Sequence, residues 1–395
     1  MRKHVLFIVE NQPVPYDRRV WYEALALKER GYNVSILSPK GKGLTRSFEK
    51  LEGINVYRHP MPFEATGKLG FLVEYANALF WEMSLSLRIF MREPFQIIHG
   101  SNPPDHVFLV ALLFRVFKVK YVFDHHDLTP ENFLAKFSKK TFLYKILCLM
   151  EGLTFWTAKI VISTNESYKK IATSRGGKTK DEVFVVRNGP KLSEIIEAPP
   201  NKDLKNGFDY LVAYVGVIGN QECVDALLRA VRYLVYGKGI TRIKFVIIGA
   251  GPHWAEMVNL SKEMGLQDYV FFTGFVPFQE FYEILSTADI CVNPEYKNPF
   301  TDKSTMMKIM DYMAMGKPIV QFDTVEGRVT AGDSAIYVNE NDDSAFAESI
   351  IGLLEDPDKR EKMGAIGKKR IHELLHWDRQ KKNLEKAYQS LEEHP

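Results

Sequence analysis

The chain has 395 residues, 46% of them hydrophobic and 26% charged, which excludes a disordered or fibrous protein and gives enough length for two domains of roughly 180 residues each. A formal net charge of +3 is too small to point to nucleic acid as a partner. Three scattered cysteines (Cys148, Cys223, Cys291) offer neither a metal-ligand spacing nor a disulfide framework, so a reducing cytoplasm is the expected compartment.

The apolar run 5–9 is too short for a signal-peptide core and meets Glu10, so it reads as a first strand. Residues 18–30 have a helical period and stop at Gly31; 34–38 reads as a second strand. Further short apolar runs fall at 97–99, 121–123, 160–163 and 183–187, with helical segments between them, the pattern of a parallel sheet covered on both faces. The most apolar long stretch, 69–90, contains Glu74, Asn77, Glu82 and Arg88, which argue against a membrane span. Residues 133–159 mix Phe137, Phe142, Leu143, Ile146 and Leu149 with Lys136, Lys139, Lys140 and Lys145. Such a segment suits peripheral contact with an anionic membrane, and equally a half-buried helix with a solvated basic face.

Residues 190–208, with Pro199-Pro200 and Asn206-Gly207, break the rhythm and form the best linker. Strands then return at 210–215, 244–248, 270–273, 290–292 and 318–321, and the chain is helical after Asp356-Pro357-Asp358. We therefore expect two doubly wound α/β domains, 1–195 and 205–375, each binding a ligand outside the carboxyl ends of its strands.

The richest segment for chemistry follows the strand ending at Val292. A helix opening near Ser304 would place Ser304, Lys308 (about +40°) and Asp311 (about −20°) on one face and Met306, Ile309, Met310 and Met313 on the other. Its free amides together with Lys303, Ser304 and Thr305 would attract a diphosphate, and Asp311 could accept hydrogen bonds from ribose hydroxyls. The plainer reading makes Ser304 or Asp302 an N-cap and Lys308–Asp311 a surface pair.

Weaker signals surround it. Gly216 and Gly219 in YVGVIGNQECVDALLRAV, and Gly249, Gly251 and Pro252 in VIIGAGP, read as strand-end loops; Trp254 stands where a dinucleotide fingerprint needs its third glycine. Asp124-His125-His126-Asp127 ends a strand, and either histidine could face a ligand, since neighbouring strand residues point opposite ways. In NQPVPYDRR, Arg18 or Arg19, next to Asp17 at a helix start, could reach an anionic group.

From Asp302 to Val320 the sequence resembles the donor-binding signature of family-4 glycosyltransferases, in which two glutamates eight residues apart precede Met-Ala, Gly and Pro. Asp311 stands for the second glutamate, Met313-Ala314, Gly316 and Pro318 match, and Lys303 replaces the first. Gly216 and Val224-Asp225 fit the same family, although Val217 and Glu222 stand where an Arg and a Lys commonly hold the diphosphate. His126-Asp127-Leu128 resembles the family's His-Asp-Leu stretch.

The resemblance implies an α/β protein of GT-B fold, two Rossmann-like doubly wound domains facing a central cleft, with a final helix near 376–395 packing back on the N-terminal domain. It implies a retaining, metal-independent transferase with no cofactor, its partners a nucleotide-sugar donor (a UDP-sugar first) and a lipid-linked or polysaccharide acceptor of surface-glycan assembly. The expected catalytic residues are His126, with a pKa near its ordinary value, Asp127 and Lys308. The expected donor residues are Gly216, Glu222, Gly249, Gly251, Pro252, Lys303, Ser304, Thr305, Lys308 and Asp311; Asp17, Arg18, Arg19 and His125 would serve the acceptor or phosphate side. A nucleotide-sugar 2-epimerase and a catalytically silent GT-B subunit are the alternatives.

Overall fold

The computed structural model describes residues 3–61, 67–137, 139–339 and 341–393. The chain divides into two compact units: Met1–Arg187 with Gln380–Pro395, and Asn188–Arg379.

Unit 1 contains β1 (His4–Ile8), α1 (Arg18–Glu29), β2 (Asn33–Pro39), β3 (Phe48–Leu51), β4 (Ile54–His59), α2 (Gly67–Arg92), β5 (Ile97–Ser101), α3 (Val107–Phe114), β6 (Lys120–His125), α4 (Thr129–Phe137), α5 (Phe142–Thr157), β7 (Ile160–Ser163), α6 (Glu166–Ser174) and β8 (Val183–Val185). The sheet order is β3-β4-β2-β1-β5-β6-β7-β8, parallel except for β3 against β4. All five residues of β1 are buried, as a strand covered on both faces requires. α1 starts where the Asp17 carboxylate accepts the Val20 amide and ends before Gly31, whose φ of +95° only glycine adopts easily. β3 and β4 were not among the expected strands. Both mix polar with apolar residues, and they are joined by Glu52-Gly53, two positive-φ residues of the kind a tight hairpin demands, so no continuous apolar run marks them.

Unit 2 contains β9 (Tyr210–Val215), α7 (Val224–Arg232), β10 (Ile243–Ile248), α8 (Trp254–Glu263), β11 (Val270–Gly274), α9 (Phe278–Thr287), β12 (Ile290–Asn293), α10 (Met307–Ala314), β13 (Ile319–Phe322), α11 (Val325–Ala331), β14 (Ala335–Val338), α12 (Asp343–Leu354) and α13 (Pro357–Arg370). Its all-parallel order, β11-β10-β9-β12-β13-β14, reverses between β9 and β12. Leu227, Val231, Phe346 and Ile350 fill one face; Leu285, Ile309, Met310 and Met313 fill the other. The proline-containing segment before β9 is docked: the Asn201 amide donates to Thr287 Oγ1 at 2.9 Å, its side chain to Glu283 at 2.7 Å, and Leu192, Ile195 and Leu204 pack on the second face.

α14 (Trp377–Glu393) ends the chain, and within unit 1 its Leu384, Ala387 and Tyr388 are fully buried. Among the described residues no helix is long and apolar enough to cross a membrane. Each sheet has one switch point, β1/β5 in unit 1 and β9/β12 in unit 2, and ligands of doubly wound sheets bind at the carboxyl ends of strands there.

Candidate active site

In unit 2, β9 and β12 pair only at Ile290↔Val212 and Cys291↔Ala213. Beyond that they part, and the Tyr312 hydroxyl fills the gap, accepting from Val215 N at 2.8 Å and donating to Val292 O at 3.2 Å. It thereby satisfies ladder groups that the opening would orphan. Gly216 lies at this mouth with φ +153°; a Cβ there would sit 2.8 Å from the Tyr214 hydroxyl and 3.0 Å from Lys308 Nζ. Lys308 Nζ donates to Glu295 at 2.6 Å and to the Tyr214 hydroxyl at 3.3 Å, and stands over the Tyr214 ring. Burial opposes its charge, but Glu295 more than compensates and holds the ammonium pKa above its ordinary value. Glu222 is a third charged neighbour, its carboxyl pushed up by burial and by Glu295.

The loops after β9, β10 and β11 meet backbone to backbone. Gly216 N donates to Ile248 O, Ile218 N to Ala250 O, and Gly249 N to Gly274 O. A Cβ on Gly249 (φ +127°) would lie 2.0 Å from Gly216 O, and one on Gly251 2.4 Å from Ile218 O. The glycines are required by this approach, which brings Pro252 beside Gly219.

The expected helix start at Ser304 is corrected: α10 opens at Met307. Asn298 Oδ1 accepts the Phe300 and Thr301 amides, and Ser304 returns both its amide and its hydroxyl to Phe300 O. This turn holds residues 298–304 outside the helix, so Lys303, Ser304 and Thr305 do not form a helix N-terminal anion site. Lys303 Nζ donates to Pro299 O at 2.8 Å. Nor is Asp302 a cap for α10, since its carboxylate accepts the Val325 amide. Ile309, Met310 and Met313 are buried as expected. Asp311 is half-buried, and Lys308 is a member of a buried ion pair rather than of a surface pair with Asp311.

In unit 1 a denser polar network occupies the strand ends. Asp124, at the end of β6 and fully buried, accepts from Arg19 Nε at 2.9 Å, from its terminal nitrogen at 2.6 Å and from Ser101 Oγ at 3.2 Å. Arg19 also lies 3.2 Å from Glu23 and donates to Val186 O. His99 Nε2 is 3.3 Å from Glu23, and His99 Nδ1 hydrogen-bonds the Tyr388 hydroxyl at 2.7 Å. Glu23, His99 and Asp124 bring potential ligand atoms within 4.8 Å of one another, but the Arg19 guanidinium already bridges both carboxylates, so the cluster is an ion-pair network rather than a cation cage. Two buried pairs lie nearby: Glu10–His59 at 2.8 Å and Glu82–His106 at 2.9 Å. Against the effect of burial, their glutamates hold both imidazoles above the ordinary value. Burial pushes the Asp105 carboxyl up to about 6.

Several expected roles change. Arg19 is held inside unit 1 by Asp124 and does not extend toward an outside anion, whereas Arg18 is exposed on α1. Asp17 is the N-cap of α1. His125 is buried among Phe123, Phe155 and Tyr168; burial and then Arg175 lower its pKa to about 3, so it is a neutral core residue. His126 is the outward member of the pair, yet its pKa does not stay ordinary: burial opposes its charge, and Asp124 raises the pKa above 6.5. Asp127 accepts the Leu128 amide at 2.8 Å, and burial raises its carboxyl.

Sequence reasoning missed Asp124, Glu10, His59, Glu82, His106 and Glu295. A usable signal existed for some of them: a lone polar residue at the carboxyl end of an apolar strand, as at Glu10 and Asp124.

Two doubly wound sheets with polar sites at their switch points define a two-domain Rossmann-like, GT-B architecture. The family described as "Glycosyl transferase 4-like domain" matches residues 16–189 and the family "Glycosyl transferases group 1" matches 209–356. The chain belongs to the family-4 glycosyltransferases of GT-B fold, and is an enzyme that transfers sugar from a nucleotide sugar. It is 24% identical to an uncharacterized glycosyltransferase of Methanocaldococcus jannaschii over 92% of this chain and 91% of that protein. It is 26% identical to the capsular polysaccharide biosynthesis glycosyltransferase CapM of Staphylococcus aureus, over 59% and 62%. Among solved structures, sucrose-phosphate synthase of Thermosynechococcus elongatus superposes with a TM-score of 0.81 at 18% identity over all of both chains. HepE of Anabaena in complex with UDP-glucose gives 0.75 at 14%, over 98% and 99%.

Proposed function

We propose that this enzyme takes a UDP-sugar as donor and places the sugar, with retention at the anomeric carbon and without a metal, on a lipid-linked or polysaccharide acceptor of surface-glycan assembly. The observation that carries the reading is the unit 2 crevice, where Gly216 leaves room beside the Lys308–Glu295 pair and three loops close backbone to backbone. A diphosphate entering there meets the Lys308 ammonium, held in place by Glu295 before the ligand arrives. Asp311, one turn along from Lys308, takes the ribose hydroxyls. HepE, whose structure contains UDP-glucose, and CapM, named for capsular polysaccharide biosynthesis, favour this donor and this acceptor class.

The acceptor belongs to unit 1, whose carboxylates and imidazoles suit sugar hydroxyls. Peripheral membrane contact fits the same reading. Phe142, Leu149 and Trp156, 79%, 60% and 63% exposed, repeat every seven residues along one stripe of α5, near the exposed Lys139, Lys140 and Lys145. Changing all three to serine should abolish sedimentation with anionic vesicles, and unchanged sedimentation would remove this face from the reading.

The test of function is a thermal-shift and hydrolysis screen with UDP-glucose, UDP-N-acetylglucosamine and GDP-mannose, on wild type and Asp311→Ala. Stabilisation by a UDP-sugar that the variant loses, with release of the free sugar in its original anomeric configuration, is the expected result. Conversion to a 2-epimeric nucleotide sugar would overturn transfer in favour of epimerisation, and no response to any donor would sink the donor assignment.

A further inference from the structure

We propose that Asp124 is a positioning residue of the unit 1 site: it fixes the His126 ring so that Nδ1 carries a proton and Nε2 is presented outward as a charged hydrogen-bond donor to a ligand oxygen. His126 then donates to a sugar or phosphate oxygen instead of removing a proton from the acceptor hydroxyl. The identity of the ligand rests on the glycosyltransferase reading above; the behaviour of the ring does not.

The geometry fixes the ring from two sides. The His126 backbone amide donates to Asn102 Oδ1 at 2.9 Å, which anchors the main chain after β6. Nδ1 lies 3.4 Å from Asp124 Oδ2. Asp124 can meet it only as an acceptor, because its carboxylate already receives both Arg19 and Ser101 hydrogens. Burial works to raise the Asp124 carboxyl, but Arg19 and His126 hold it well below the usual carboxylate range. An ionised acceptor 3.4 Å from Nδ1 favours a hydrogen there. Among the described residues no group hydrogen-bonds Nε2, and the side chain keeps 10% of its surface open.

The charges around the ring favour its protonated form. From its own segment come Asp124 and Asp127, the latter with its carboxyl raised by burial, and His125, turned into the aromatic core and neutral. From α1 come Asp17 and Arg19. The Arg19 charge is covered by Asp124 and Glu23, which leaves a net negative surround. Arg19 and Ser101 therefore act one step further back, by keeping Asp124 ionised and still, and Glu23 holds Arg19 in turn.

The test is a pH titration of the full-length protein with ¹³C,¹⁵N-labelled histidine, the His126 ring being assigned by its loss in His126→Gln. In the wild type the ring should titrate above 6.5, and its neutral form should keep the proton on Nδ1. In Asp124→Asn the titration should move down by about one unit or more and the tautomer preference should disappear. A wild-type ring that is neutral at pH 7 with its proton on Nε2, or an unchanged titration in Asp124→Asn, overturns the proposal. The wild-type tautomer decides even where Asp124→Asn does not fold. Adding glucose 1-phosphate, which offers both sugar and phosphate oxygens, should shift the Nε2 resonance of the wild type. Saturation with glucose 1-phosphate and no movement of Nε2 counts against His126 as the donor of that hydrogen bond, whereas a ring that behaves as expected in a protein that no UDP-sugar stabilises counts against the proposed sugar donor alone.

Discussion

At the β9/β12 crevice of unit 2 the chain comes against itself backbone to backbone, with glycines at 216, 249 and 251 and one buried ion pair. At the β1/β5 crevice of unit 1 the equivalent place is packed with side chains: Arg19 between Glu23 and Asp124, two glutamate–histidine pairs, and Asp105 beside Asn102. The same topology thus supports two kinds of site. Glycine leaves volume at a strand end. Paired charges fill it and hold one another's direction, at a desolvation penalty that only near-complete pairing offsets.

The largest effect should come from separating the Lys308–Glu295 pair. Lys308→Ala leaves Glu295 buried without its partner, and urea melts should show a loss of about 3–5 kcal/mol, most of it recovered in Lys308→Met with Glu295→Leu. No loss in the single variant would mean that the pair is open to water and that the two regions differ less than their geometry indicates.

Next is Gly249→Ala. The added methyl meets Gly216 O at 2.0 Å in a left-handed backbone, so a loss of about 2–4 kcal/mol is expected in the same melts, together with loss of donor-induced stabilisation. Wild-type stability would show that the loops can part without penalty.

Asp105 tests the charged region in the opposite direction. Its folded pKa of about 6 lies above the ordinary 3.8, so its ionisation destabilises the fold. The advantage of the protonated form is complete below about pH 4 and is lost as the pH rises through 6. Asp105→Asn should therefore gain stability relative to wild type between pH 4 and 7, by about 2–3 kcal/mol across the interval. A relative stability that does not vary with pH would contradict the burial of this carboxylate.

The smallest expected change is Asp17→Ala. Loss of the α1 N-cap should reduce stability by about 1 kcal/mol, with donor binding in unit 2 unaffected. A large fall in donor binding with folding intact would return Asp17 to a ligand-contacting role.

The sequence by itself determined the repeated strand–helix rhythm, most strands of both sheets, the glycines at the strand ends and the family signature around Asp311, because these depend on neighbours close in the chain. It also placed Ile309, Met310 and Met313 toward the core, since a helix repeats every 3.6 residues wherever it starts. The hairpin of β3 and β4 escaped because its strands carry no continuous apolar run, and the start of α10 was displaced by the Asn298–Thr301 turn, whose hydrogen bonds compete with helix formation for the same amides. Only the tertiary structure decided which charged groups meet. Arg19 and Asp124 are 105 residues apart in the chain, Tyr388 and His99 are 289 apart, and Glu295 reaches Lys308 across a loop. Local spacing cannot encode such pairs, because an ionisable side chain takes its partner, and with it its charge, from whatever the packing of distant strands brings within a few ångströms.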